Sequence, residues 1–276
     1  MFLIVGGDGT LGTALQSAHT RPEGVVATSR REQPLSYRVD LADAPDTWRL
    51  PDDIAGAVLC AAITSIDACQ RDPAGTRAVN VTATVELARR IRARGGHCVF
   101  LSTNQVFDGT KPFRREDEPP CPSSEYGRQK AEAEGELLAA GHGVLRLTKV
   151  FGSAPKLFRG WRDQLSSSQV VRPYEDMAFA PVGIKNAAAS IWELAANRVT
   201  GVVHLSADAD VTYSTVARRL AARMGVSADL VQPTTVAAAG LPAAAVPAHT
   251  TLAMTRWPAP SALGVADALI EETCNG

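Results

Sequence analysis

The sequence predicts an α/β fold, a doubly wound parallel sheet with a smaller C-terminal lobe. Three observations carry that expectation. Short apolar runs alternate with longer helical patterns through the first 150 residues. A turn with glycines at Gly6, Gly9 and Gly12 stands between the first run and the first helical pattern. After Phe151 the alternation stops, and Gly152–Pro181 mixes Pro, Gly, Trp and Arg with no clear period.

The runs are Phe2–Val5, Gly24–Thr28, Tyr37–Val39, Ala57–Cys60, His97–Leu101 and Gly143–Leu147. Helical periodicity covers Leu11–His19, Ala74–Ala93 and Glu125–Ala140, then Asn186–Asn197 and Tyr213–Met224. Runs of this length separated by helices indicate βαβ units, and a parallel strand buried on both faces need not alternate. The expected organisation is a sheet domain over 1–150 and a substrate lobe over 151–276. A stretch near 182–225 returns to the sheet domain, and the tail Pro233–Pro260 is rich in Ala and Pro.

Composition narrows the function. The 276 residues are 45% hydrophobic and 21% charged, with a net charge of −1. That balance gives no electrostatic case for nucleic acid or an anionic membrane. No run of 18 apolar residues is present, so no membrane span is expected. The five cysteines include no C-x-x-C and read as free thiols of a reducing, cytoplasmic compartment. The five histidines lack metal-ligand spacing, and no metal is expected.

Gly6-x-x-Gly9-x-x-Gly12 follows a strand and opens a helix. Glycine allows the sharp turn and lets the backbone lie against a phosphate, while the helix N-terminus favours its charge. This predicts a dinucleotide site of Rossmann type. The second run ends in Ser29-Arg30-Arg31, with Glu32 only after the two arginines. A guanidinium grips a 2′-phosphate where an acid would bond a 2′-hydroxyl, so NADP(H) is expected in preference to NAD(H). Arg30 is the main contact and Arg31 the second.

Tyr126 and Lys130 are four residues apart in a helical pattern and share a face. Pro122-Ser123-Ser124 offers a start and cap. A nearby ammonium lowers a phenol's pKa and makes it a usable general acid toward a carbonyl oxygen. The fifth run ends at Ser102-Thr103, where a hydroxyl could share that oxygen.

These three motifs resemble the extended short-chain dehydrogenase/reductases. Within them, STNQVFDGT (Ser102–Thr110) followed by SEYGRQKAEAE (Ser124–Glu134) is similar to the dTDP-4-dehydrorhamnose reductase group. CAAITSIDACQ, AVNVTAT, FAPVGIKNAA and GVVHLS extend the similarity over most of the chain. The resemblance implies an NAD(P)H-dependent reductase of a nucleotide-linked 4-keto deoxysugar. Thr103 would hold the carbonyl, Tyr126 donate the proton, and Lys130 hold the nicotinamide ribose. It implies further cofactor contacts at Thr10, Leu11, Asp40, Leu41, Ala61, Ala62 and Thr64, with Asn80 structural or functional. It also allows a homodimer.

The chain departs from the group at two places. Asn104-Gln105 replaces an Asp-Tyr pair, and Leu147–Phe151 replaces T-S-W-V-Y, bringing in Lys149. Asn104, Gln105 and Lys149 are therefore the expected substrate contacts, and a lost stacking surface with a gained cation changes which sugar fits. Trp161, Arg162, Arg172 and Arg256 are further polar or aromatic candidates, as readily structural as functional. The alternatives are an epimerase or dehydratase of the same superfamily, or a non-catalytic regulatory subunit. A dehydratase needs an acid and a base beside Thr103, and Asn104 and Gln105 are neither.

Overall fold

The computed structural model describes residues 1–19, 24–31, 37–240 and 246–275. Glu32 and part of the Ala- and Pro-rich tail lie outside these. The chain forms two compact units: Met1–Phe107 with Glu116–Leu147 and Lys185–His204, and Asp108–Arg115 with Thr148–Ile184 and Leu205–Gly276.

The first unit is built on a seven-stranded sheet. Its strands are β1 (Phe2–Val5), β2 (Val25–Ser29), β3 (Tyr37–Arg38), β4 (Gly56–Leu59), β5 (His97–Thr103), β6 (Gly143–Leu147) and β10 (Gly201–Leu205), in the order β10-β6-β5-β4-β1-β2-β3. The pairings from β3 through β6 are parallel, with Leu3 opposite Val26 and Ala57, and Val58 opposite Val99. The order reverses direction between β1 and β4, which is the switch point where a doubly wound sheet opens a crevice. Every residue of β4, β5 and β6 is buried, which explains why these runs are mostly apolar rather than alternating.

Helices cover the sheet. They include α1 (Thr10–Ala18), α2 (Ile66–Arg71), α3 (Pro73–Arg77), α4 (Thr84–Ala93), α5 (Glu125–Ala139) and α7 (Ile184–Ala196). Leu3, Leu59, Leu87, Ile91, Phe100 and Leu137 form the centre of the core. The pattern over Ala74–Ala93 predicts one helix. Instead α3 and α4 are joined by a π-helical turn over Ala78–Ala83. The wider turn carries Asn80, whose buried amide grips the backbone of Ile63 from both sides: Ile63 N–H donates to Oδ1 at 2.8 Å and Nδ2 donates to Ile63 O at 3.0 Å. Such turns inside helices are frequent at functional sites.

The second unit holds two small sheets, β7 (Lys149–Phe151) with β9 (Pro181–Gly183) and β8 (Ala178–Phe179) with β11 (Val211–Thr212). Around them pack α6 (Lys156–Ser166), α8 (Tyr213–Met224) and α9 (Ala262–Asn275). Its core is aromatic: Phe151, Phe158, Trp161, Phe179 and Tyr213 are buried together. Trp161 lies parallel to Phe158 with ring centroids 5.6 Å apart, so its role is packing. Arg162 donates to the Thr273 carbonyl at 2.8 Å, and Arg256 lies 5.6 Å from the Trp257 ring.

Candidate active site

The glycine-rich turn is shaped by its backbone. Gly6 adopts φ +85°, a conformation costly for any residue with a Cβ. A Cβ at Gly12 would drive into the Gly6 carbonyl, so α1 packs directly under the turn. Gly9 is the N-cap of α1 and provides no side-chain cap. The amides of the first helical turn, at Thr10 and Leu11, are thus left to an outside acceptor, and a phosphate is the acceptor such an end favours.

Beside this turn lies a cleft of about 330 Å³ in the first unit. Of the sequence candidates, Gly6, Gly9, Arg30, Asp40, Leu41, Ala61 and Ala62 line it. Arg31 and Thr64 are exposed and do not belong to its lining. Asp8, Val39, Ala42, Cys60, Ile63 and Val79 line it as well and escape the sequence analysis. Each is the immediate chain neighbour of a candidate, on one side or the other. Asp8 is different, because the acid is sought after the second strand and sits in the glycine turn instead. The open glycine cradle, the uncapped helix end and the apolar wall at Ala61 and Ala62 fit a dinucleotide.

The candidates Tyr126 and Lys130 lie on α5, and Thr103 ends β5, the strand that α5 packs against. Ser124 caps α5, its Oγ accepting from Gly127 N–H at 3.1 Å, as the sequence predicts. Tyr126 and Lys130 then face the sheet and are 8% and 2% exposed. Lys130 Nζ donates to the Leu101 carbonyl at 2.6 Å and lies 3.7 Å from the centre of the Phe100 ring. Burial pushes the Lys130 pKa down to about 7, against the opposing pull of Glu134 and then Cys60. Thr103 ends β5 and caps the short turn Asn104–Val106, its Oγ1 accepting from Gln105 N–H at 3.2 Å. The same Oγ1 donates to Asn104 Oδ1 at 3.5 Å. Ser102 Oγ, beside it, is buried and has no hydrogen-bond partner among the described residues.

One expectation is corrected here. The ammonium of Lys130 does not lower the Tyr126 pKa. Burial raises it, with Cys69 adding in the same direction, and Lys130 is turned to the Leu101 carbonyl. Desolvation of a phenolate outweighs a cation whose proton is engaged elsewhere.

Behind the site, Gln129 and Asn80 join the helices. Asn80 Nδ2 donates to Gln129 Oε1 at 2.9 Å, and Gln129 Nε2 donates to Thr76 Oγ1 at 2.9 Å. Deeper on the same face of α5, Glu134 pairs with Arg146 of β6, both fully buried. Of the substrate candidates, Asn104 and Gln105 are half-buried in the first unit. Lys149 is an exposed residue of the second, where its Nζ donates to the Tyr213 hydroxyl at 2.9 Å. Among the described residues no three His, Cys, Asp or Glu side chains gather as metal ligands.

A doubly wound parallel sheet, a glycine cradle at its switch point and a buried Tyr-x-x-x-Lys face define the class, an NAD(P)-dependent oxidoreductase of the short-chain dehydrogenase/reductase type. Residues 1–265 match the family described as the RmlD substrate binding domain, and the chain belongs to that family. It is 29% identical over 257 residues to the probable low-salt glycan biosynthesis reductase Agl14 of Haloferax volcanii, covering 87% of this chain and 86% of that protein. It is 27% identical over 250 residues to methionine adenosyltransferase 2 subunit beta of Rattus norvegicus, covering 84% of this chain and 75% of that one. The crystal structure of dTDP-4-dehydrorhamnose reductase from Bacillus anthracis in complex with NADP shares the fold, with a TM-score of 0.82, 19% identity and 99% of each chain covered.

Proposed function

We propose that the chain reduces a nucleotide-linked 4-keto deoxysugar with NADPH, and that Tyr126 donates the proton to the sugar carbonyl oxygen. The observation that carries this reading is the burial of Tyr126 and Lys130 on one face of α5, tied by Lys130 to the end of β5 that bears Thr103. The relatives named as reductases support it.

NADPH, when bound, supplies the hydride. Gly6, Gly9, Thr10 and Leu11 would hold its diphosphate, Arg30 its 2′-phosphate, and Asp40, Leu41, Ala61 and Ala62 its adenosine half. Thr103 Oγ1 accepts a backbone N–H and donates only at 3.5 Å to Asn104 Oδ1, a long bond that its proton would exchange for the carbonyl oxygen. Burial keeps the Tyr126 phenol protonated at neutral pH, so it holds its proton until charge develops on that oxygen. Lys130 would orient a ribose hydroxyl of the cofactor. Asn104 and Gln105 would touch the sugar, and Lys149 an anionic group on the substrate. The five free cysteines fit a cytoplasmic location. Among the described residues no helix is long and apolar enough to cross a membrane.

The similarity to a methionine adenosyltransferase subunit favours one other reading, a non-catalytic partner. NADPH oxidation measured against a panel of 4-keto nucleotide sugars, with simple ketones as controls, separates the two. The reductase reading expects turnover that falls about 100-fold or more in Tyr126→Phe while cofactor binding persists. No oxidation across the panel, with cofactor bound, favours the partner.

A further inference from the structure

The end of β2 carries Arg30 and Arg31, and the sequence there offers a 2′-phosphate only cations. The fold brings an anion to the same place from another segment. Asp8 belongs to the glycine-rich turn, 21 residues before Ser29, and it lines the cleft together with Arg30. Ser29, the last residue of β2, donates from Oγ to Asp8 Oδ2 at 2.5 Å. The same Oγ accepts from Arg31 N–H at 2.9 Å. Ser29 is buried, so its hydroxyl is fixed by both bonds and holds the carboxylate against the strand end. Among the described residues no cation pairs with that carboxylate.

An acid at this position has a defined chemistry. A carboxylate accepts a hydrogen bond from a ribose 2′-hydroxyl and repels a 2′-phosphate. Arg30 does the reverse. The two opposite charges share one cleft of about 330 Å³, too small for either to be ignored by a ligand in it.

We infer that Asp8, held by Ser29, is a specificity-determining residue for the dinucleotide: it favours the unphosphorylated ribose and offsets the pull of Arg30 toward NADPH. This rests on the reading of the cleft as the dinucleotide site. The preference between NADPH and NADH is then set by the balance of two side chains rather than by the arginines alone.

The test is direct titration of the full chain with NADPH and with NADH, followed by nicotinamide fluorescence or calorimetry, in the wild type, Asp8→Asn, Ser29→Ala and Arg30→Ala. The ratio of the two dissociation constants is expected to move toward NADPH by about tenfold or more in Asp8→Asn, the size of one lost charged hydrogen bond and its repulsion. Ser29→Ala moves it the same way by less, and Arg30→Ala moves it toward NADH. A ratio within about twofold of wild type in both Asp8→Asn and Ser29→Ala, or a shift toward NADH, overturns the assignment. If Asp8→Asn does not fold, Ser29→Ala decides alone. Failure of the wild type to bind either dinucleotide sinks the cleft reading itself, whereas binding of both with an unmoved ratio sinks only the role of Asp8.

Discussion

Lys130 Nζ and the Leu101 carbonyl oxygen are 2.6 Å apart, so the ammonium that follows Tyr126 by one helical turn is pinned to the last part of β5. The bond fixes the face of α5 that bears Tyr126 and Lys130 on the strand that ends in Thr103. It also holds a cation in a place from which water is excluded, and the cost of that burial is visible in the lysine's proton affinity.

The lowered Lys130 pKa has a consequence for stability. The value falls from 10.5 to about 7 on folding. Between those two pH values the unfolded chain binds a proton that the folded chain does not, so this residue makes stability rise with pH across that window. Below about 7 both states are charged and the folded state carries the whole burial cost. Lys130→Met is expected to raise stability at pH 7 by about 1 kcal/mol or more, to remove that pH slope and to abolish turnover. Thermal unfolding from pH 6 to 10 checks it, and an unchanged slope would refute it.

The Glu134–Arg146 pair gives a sharper result. Arg146 Nη2 donates to Glu134 Oε2 at 2.8 Å, with side chains only 3% and 2% exposed. The guanidinium also stacks on Phe107 at 5.0 Å and meets His204 Nε2 at 3.4 Å. Glu134→Leu strands a buried cation and is expected to cost about 3–5 kcal/mol. Adding Arg146→Met should recover most of that loss in urea unfolding. Equal destabilisation in single and double variants would contradict the pairing.

Asn80 connects stability to the cleft. Its amide holds both backbone groups of Ile63, a cleft residue, and reaches Gln129 between Tyr126 and Lys130. Asn80→Ala is expected to cost about 1–3 kcal/mol, because buried backbone groups lose partners. It should also weaken dinucleotide binding, since the wall of the cleft loses its anchor. Calorimetric titration with NADPH that matches wild type would show the anchor to be purely structural.

Two glycines of α5 make a paired control. A Cβ on Gly127 would strike the Gln105 carbonyl, whereas one on Gly135 would meet nothing within 4 Å. Gly127→Ala should destabilise by about 1–3 kcal/mol and reduce turnover by tilting the helix that carries Tyr126. Gly135→Ala should stabilise by up to about 1 kcal/mol with turnover intact. Similar effects from the two substitutions would exclude close packing at Gly127 as the cause.

What the sequence determines by itself is whatever depends on near neighbours. Apolar runs spaced by helical periods specify the strands and helices of the sheet unit. Three glycines between a strand and a helix specify the turn, and Ser124, Tyr126 and Lys130 share a helix and its cap. Each depends on residues within about one helical turn or one strand of each other, and backbone sterics and periodicity act at that range. Tertiary structure alone decides the rest. It carries Asp8 to Ser29 across 21 residues, turns Lys130 to Leu101 rather than to the phenol, and widens a helix at Ala78–Ala83 so that Asn80 can hold Ile63. It also raises the Tyr126 pKa where local reasoning from the lysine lowers it. Desolvation and long-range hydrogen bonds belong to the packed chain, since both depend on which segments the sheet order brings together and how completely they exclude water.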